Sequence, residues 1–387
     1  MEIINNLFKA KLSRRQFCKI CLLSGAGLLA SPLLFQLTKK SYAAQEKEAL
    51  FYEKKSADTI QCGLCPRRCV LKNGMLGFCR ARRPRGGMHY TLVYANPTAV
   101  HIDPIEKKPL FHFLPATQAF SIATAGCNFR CKYCQNWQIS QVSPEETFNE
   151  DMPPAAVVNA AIRYNCPTIA YTYTEPSIFY EYMLDTAKIA KSKGLRNMYH
   201  SNGSLNQKPL EELCLYLDGA DIDLKAFNQK YYSEVCEGYL DTVLNTLKTL
   251  KKNRVWVEIT NLVVPTLNDD PAQIKEMVVW IKDNLGPDVP VHFARFHPMY
   301  KLNTLYPTPV QTLEKARDLA VGVGLNYVYI GNVPGHPYEN TYCPSCKQSL
   351  IERYGFSITR YNITPDKHCP YCGEEILIIG EPHVSNL

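Results

Sequence analysis

Net charge is nearly absent from most of this sequence. The 387-residue chain carries a formal +7, but Lys9, Lys11, Arg14, Arg15, Lys19, Lys39 and Lys40 stand against Glu2 alone within residues 1–43. That stretch therefore holds +6 and the remainder only +1, which removes the main support for a nucleic-acid-binding surface. Internal repeats and low-complexity tracts are missing too, as are a nucleophile elbow and any other hydrolytic signature. Hydrophobic residues make up 46% and charged residues 20%. That balance excludes a disordered, collagen-like or polytopic membrane chain. At roughly 100–200 residues per domain, the length allows one large domain with appendages or two to three domains.

Cysteine, in contrast, is abundant: there are 16. Cys62, Cys65, Cys69 and Cys79 form one group, Cys127, Cys131 and Cys134 a second, and Cys343, Cys346, Cys369 and Cys372 a third. Cys166, Cys214 and Cys236 lack partners at ligand spacing and read as core thiols. A disulfide framework spreads half-cystines through a small loop-rich chain, whereas tight CxxC and CxxxCxxC groups in a long α/β-patterned chain favour thiolates converging on metal. Three metal sites are expected.

Ser13-Arg14-Arg15-Gln16-Phe17 precedes an uncharged stretch from Ile20 to Thr38 and a small-x-small end at Ser41-Tyr42-Ala43. This layout resembles a twin-arginine signal, with Cys18 where Leu is usual. An uncleaved membrane anchor is the alternative, since the stretch approaches the ~20 residues of a membrane helix. Cys18 and Cys21 lie inside this segment and are discounted as ligands. The reading is periplasmic or membrane-tethered, with membrane contact through this segment and a cytoplasmic role left open.

Four regions follow: residues 1–44 as signal, 45–117 as a Cys-rich segment, 118–335 as a core, and 336–387 as a zinc-ribbon-like domain. In the core, strand-like runs at Phe120–Ala125, Thr168–Tyr173, Met198–Ser201, Ala220–Leu224, Val255–Val264, Val291–Phe296 and Tyr327–Ile330 alternate with amphipathic stretches. Regular β/α alternation predicts a parallel sheet with helical crossovers, either doubly wound or a full or partial (β/α) TIM-like barrel. In either case the chemistry collects at the carboxyl ends of the strands.

Just past the first of these strands lies Ala125-Gly126-Cys127-Asn128-Phe129-Arg130-Cys131-Lys132-Tyr133-Cys134. Three thiolates in one short loop hold three irons of a [4Fe-4S] cluster and leave the fourth iron free to bind something. A distant fourth cysteine, or zinc on three thiolates and an imidazole, are the alternatives. This loop resembles that of the radical SAM superfamily. Within it the chain is similar to the pyruvate formate-lyase activating enzyme branch and to the "AmmeMemoRadiSam system" enzymes. The resemblance implies the radical SAM type of barrel, with Cys127, Cys131 and Cys134 as cluster ligands and S-adenosylmethionine on the open iron. It further implies that Tyr133 packs near the adenine. Tyr173-Thr174-Glu175-Pro176 stands where the superfamily has Gly-Gly-Glu-Pro, implying a backbone role for Tyr173 and Thr174 at the methionine amine and a weaker one for Glu175. Ser201-Asn202-Gly203 resembles the Thr-Asn-Gly turn, and Asp223-Leu224-Lys225 the Asp-Leu-Lys motif, implying that Ser201, Asn202, Asp223 and Lys225 contact S-adenosylmethionine. His297 is a further contact to that ligand or to substrate. The activating enzymes' monovalent cation is in doubt here, because His200 replaces an Asp.

The implied activity is reductive cleavage of S-adenosylmethionine and hydrogen abstraction from an unknown substrate, as an oxidoreductase that activates a glycyl-radical partner or modifies another protein or small molecule. An electron donor of flavodoxin or ferredoxin type goes with it. A multi-centre iron-sulfur electron-transfer protein is the competing reading, distinguished by the open iron. The two CxxC pairs at Cys343/Cys346 and Cys369/Cys372 have the layout of a zinc ribbon. Zinc is the expected ion, although a rubredoxin-like iron uses the same four sulfurs. Cys62, Cys65, Cys69 and Cys79 suit a second iron-sulfur cluster or a structural zinc equally. Arg67, Arg68, Arg80, Arg82, Arg83 and Arg85 around them read as a solvated basic face. No mechanistic role is assigned to the stretch Pro104–Phe113.

Overall fold

The computed structural model describes residues 47–380. The signal-like stretch 1–44, with Cys18 and Cys21, lies outside them. Among the described residues no helix is long and apolar enough to cross a membrane.

The core is one eight-stranded sheet. In chain order its strands are β1 (Ala99–Pro104), β2 (Gln118–Ala123), β3 (Thr168–Tyr171), β4 (Arg196–Ser201), β5 (Gly219–Asp223), β6 (Trp256–Val263), β7 (Val291–Arg295) and β8 (Val328–Gly331). Their spatial order is the same as their sequence order. β2 to β8 are parallel throughout, and β1 pairs antiparallel with β2, Ala99 facing Ala123. Because β1 and β8 are not paired, the sheet is a partial barrel. Six crossovers join the parallel strands: α1 (Pro154–Arg163), α2 (Tyr180–Ser192), α3 (Gln207–Cys214), α4 (Leu240–Lys252), α5 (Pro271–Leu285) and α6 (Val310–Val323). Helices that cover a parallel sheet leave its strands buried on both faces, so Thr-Ile-Ala-Tyr of β3 is buried at every position. At about 1.5–3 kcal/mol per fully buried large aliphatic side chain, residues such as Ile122, Ile169, Ile222 and Ile259 stabilise this layer.

Each strand and helix expected between 118 and 335 is present within a few residues. β1 departs from the sequence reading: it lies in the Cys-rich segment, where no strand is expected, and Ala99-Val-His-Ile-Asp-Pro carries a His and an Asp where a central strand is apolar. As an edge strand it tolerates both. Residues 47–91 form two small antiparallel sheets, one of 52–54, 59–62 and 70–72, the other of 47–48, 88–91 and 82–85. A third small sheet (341–342, 349–354, 357–361) carries the last cysteine group.

The stretch Pro104–Phe113 has a structural role at the amino ends of the strands. The amide N–H groups of Phe111 and His112 donate to Glu258 near the start of β6, at 3.0 and 2.8 Å. Phe113 packs on Gly219, the first residue of β5, where a Cβ would stand 3.1 Å from its ring. His112 Nδ1 meets the Leu377 carbonyl at 2.7 Å and Ile379 donates to the His112 carbonyl at 2.8 Å. The C-terminal segment is thereby fastened to the sheet end opposite the radical loop.

Candidate functional site

The loop after β2 is held in place from three sides. Its Cys127 amide donates to the Cys79 carbonyl at 3.2 Å, Arg130 and Lys132 amides donate to the carbonyls of Cys236 and Val235, and the amides of Lys301 and Leu302 donate to the Lys132 carbonyl. Gly126 is required at the hinge, because its φ is +101° and a Cβ there would lie 2.3 Å from the Cys79 carbonyl oxygen. Phe129 is buried and its ring lies against Gly238, where a Cβ would come within 2.4 Å.

Burial pushes the Cys127 and Cys134 thiols up, and Cys131 is pushed up first by its hydrogen bond with Cys236 and then by burial. Buried thiolates need positive charge beside them. Lys225 supplies part of it, lowering both Cys131 and Cys134, and a metal centre would supply the rest. The donor set fits iron-sulfur ligation: three thiols, one loop, no disulfide among them. Cys134 Sγ also meets Ser140 Oγ at 3.1 Å.

The strand ends bring their polar groups to the same side. Asn202 Nδ2 lies 3.9 Å from Cys127 Sγ and donates to Asn128 Oδ1 at 2.8 Å. Glu175 is buried and turned inward. It accepts from the Ser177 amide and hydroxyl (2.9 and 2.5 Å), the Ser201 hydroxyl (2.8 Å) and the Asn202 amide (2.8 Å). Its carboxylate therefore shapes the turn that presents Ser201 and Asn202. Tyr173 takes a left-handed φ of 62°, its carbonyl accepts from Asn136 Nδ2 at 2.7 Å, and its hydroxyl donates to Asp103. Thr174 Oγ1 donates to the Thr124 carbonyl at 2.9 Å. Tyr133 is buried, its hydroxyl 3.4 Å from Cys236 Sγ and its ring 5.8 Å from Lys225 Nζ. His297, after β7, is exposed.

Asp221, Asp223 and Lys225 share a face of β5 and its extension, and His200 from β4 completes the group. Lys225 Nζ binds Asp223 at 2.8 Å, His200 Nδ1 meets Asp221 at 2.5 Å, His200 Nε2 lies 3.6 Å from Asp223, and Thr260 Oγ1 donates to Asp221 at 2.9 Å. Burial alone would lower His200, but Asp223 and Asp221 outweigh it and raise it to about 9. Asp223 is held low because Lys225 and His200 outweigh its burial, whereas burial keeps Asp221 above the usual carboxylate range. His200 and Lys225 face Asp221 and Asp223, and His200, Asp221 and Asp223 are close enough together to take an ion.

Two features are not legible in the sequence. Cys236 is a buried thiol as expected, yet it borders Cys131 and Tyr133 rather than plain core. Nothing in its spacing signals that; the segment around it reaches the loop only through tertiary packing. Arg82 corrects the solvated-face reading: it is 1% exposed and bound by Glu181 at 3.0 and 2.6 Å. Arg67 also points inward, donating to the Asn128 carbonyl at 2.7 Å.

The C-terminal group closes tightly. Cys343 and Cys372 sulfurs are 3.6 Å apart, as are those of Cys346 and Cys369, and all four lie within 4.8 Å of one another. Zn–S bonds of about 2.3 Å in a tetrahedron imply sulfur separations of ~3.8 Å, so the arrangement suits one tetrahedral ion. Of the four, Cys372 has its thiol lowered to about 7, chiefly by the Glu374 amide, and Cys343 is raised to about 12 by burial.

Residues 121–278, from β2 to the middle of α5, match the family model of the radical SAM superfamily. The uncharacterized protein MJ0808 of Methanocaldococcus jannaschii is 49% identical over 334 residues, covering 86% of this chain and 99% of that one. A second protein of that organism, MJ0674, is 25% identical over 285 residues, 69% of this chain and 76% of its own length. The pyruvate formate-lyase-activating enzyme of Clostridium pasteurianum is 23% identical over 188 residues, 47% of this chain and 78% of that enzyme. With three cysteines in the loop after the first parallel strand, polar strand ends gathered around them and these relatives, the chain belongs to the radical SAM superfamily and is similar to its pyruvate formate-lyase-activating enzymes.

Proposed function

We propose that the protein cleaves S-adenosylmethionine reductively and removes a hydrogen atom from a glycyl-radical partner or another protein substrate. The carrying observation is the Cys127-Cys131-Cys134 loop, pinned at the carboxyl end of the sheet beside Asn202, Asp223 and Lys225. Cys127, Cys131 and Cys134 would hold three irons of a [4Fe-4S] cluster, which when bound and reduced would supply the electron for reductive cleavage of S-adenosylmethionine. The chain's own work is to bind, orient and exclude water. Tyr133 and Lys225 bound the space beside the loop. Asn202 offers amide groups to a polar ligand, and the buried Glu175 holds that turn still.

We assign the electron donor to the flavodoxin or ferredoxin class and the C-terminal ion to zinc, and read residues 1–44 as a twin-arginine-type signal that places the enzyme in the periplasm or on the membrane. The test is 5′-deoxyadenosine formation by anaerobically reconstituted protein given dithionite and S-adenosylmethionine, beside Cys131→Ala. Formation is expected from the wild type, and its loss is expected in the variant, which lacks one of the three cluster ligands. No product from a fully iron-loaded wild type would sink the reading.

A second reading, an electron-transfer centre closed by four thiolates, draws on Cys236 beside Cys131. Cys236→Ala separates the two. Retained iron and retained cleavage keep the fourth iron open, and loss of the cluster with Cys236 makes it a ligand.

A further inference from the structure

Cys62, Cys65, Cys69 and Cys79 line one cavity, together with Arg67, Arg82 and His89. Among the described residues no three of their sulfurs lie within 4.8 Å of one another, in contrast with the closed Cys343 group. Cys127, Cys131 and Cys134 are likewise too spread for one ion by the same measure. The three cysteine sites thus sort into two open sets and one closed set. A single tetrahedral ion draws its thiolates to ~3.8 Å, whereas a cubane holds them apart on different iron corners.

Two residues of the cavity lining carry buried nitrogens without a hydrogen-bond partner. His89 is 0% exposed and neither of its ring nitrogens has a partner; Arg82 Nε is unpartnered as well, although the rest of its guanidinium is bound to Glu181 and the Ile178 carbonyl. Both residues line the cavity. A buried donor is costly to leave orphaned unless something accepts from it, and the sulfides and thiolates of an iron-sulfur cluster are acceptors of that kind. The wall is also rigid: the Cys62 amide donates to the Cys69 carbonyl at 2.9 Å and the Gly77 amide to the Arg82 carbonyl at 2.8 Å.

We infer that Cys62, Cys65, Cys69 and Cys79 ligate a second [4Fe-4S] cluster, with His89 and Arg82 Nε hydrogen-bonding to its sulfur. The cluster adjoins the radical loop, since the Cys79 carbonyl accepts from the Cys127 amide. Its existence does not depend on the chemistry at that loop.

The test uses the full chain carrying Cys127→Ala, Cys131→Ala and Cys134→Ala, reconstituted anaerobically with iron and sulfide. About four irons and four sulfides per chain are expected, with an electron paramagnetic resonance signal on reduction. Zinc at these four cysteines, or no iron in a variant whose circular dichroism is native, overturns the assignment. Should that variant misfold, the wild type altered only at Cys62→Ala and Cys65→Ala decides. Its iron must fall by about four per chain, and unchanged iron overturns the site. In the triple-alanine background, His89→Phe is expected to lower the cluster's midpoint potential by removing a donor to sulfur. An unchanged potential removes His89 from the site.

Discussion

His200 stands between two carboxylates, which favour its protonated form. Its folded pKa, about 9, exceeds the ordinary ~6.5. A raised pKa means the stabilisation is fully present below about pH 6.5 and is lost as pH rises through about 9. With the ring a quarter exposed, the contribution is about 2 kcal/mol. In chemical denaturation, wild type should therefore exceed His200→Gln by about that margin near pH 6.5, and the gap should close toward about pH 9.5. A gap independent of pH would mean that His200 acts through packing alone. The sequence shows the His-for-Asp replacement but not its consequence, because Asp221 and Asp223 reach it across strands rather than along the chain.

At the scale of elements, the loop after β2 owes its shape to neighbours far away in sequence. The Cys79 carbonyl occupies the space a side chain at residue 126 would need. Gly126→Ala must both strain a φ of +101° and push the 79–81 backbone away, a cost of about 2–3 kcal/mol. We expect iron content and melting temperature to fall together in this variant. A melting temperature lowered with iron unchanged would show that the loop keeps its ligand geometry despite the strain. The CxxxCxxC motif is legible in the sequence because its spacing is local. That Cys236, Arg67 and Cys79 surround it is not, because helical crossovers and antiparallel hairpins bring them there.

For the whole molecule, the C-terminal cysteine group and the Pro104–Phe113 stretch form one brace at the amino ends of the strands. Arg353, buried, donates to the Phe111 carbonyl at 3.0 Å and to Thr341 Oγ1 at 2.8 Å. With zinc assigned to this group by proposal, removing it should loosen this end without touching the loop after β2. Cys369→Ser is expected to lose about one zinc per chain and several degrees of melting temperature, with the radical-loop iron retained. Loss of that iron as well would make the two ends one cooperative unit. Replacing Arg14 and Arg15 by Lys should hold the protein in the cytoplasmic fraction, and an unchanged distribution would exclude twin-arginine export. Hydrophobic periodicity and cysteine spacing, both local properties, were enough to determine the β/α order, the loop carrying three clustered cysteines and the two flanking cysteine groups. Tertiary structure alone decided that the sheet stays open with an extra antiparallel edge, that Arg82 is buried, that His200 sits between Asp221 and Asp223, and that the four N-terminal cysteines surround a cavity while the four C-terminal ones close on a point. These depend on distances between segments remote in sequence, which packing sets and spacing does not encode.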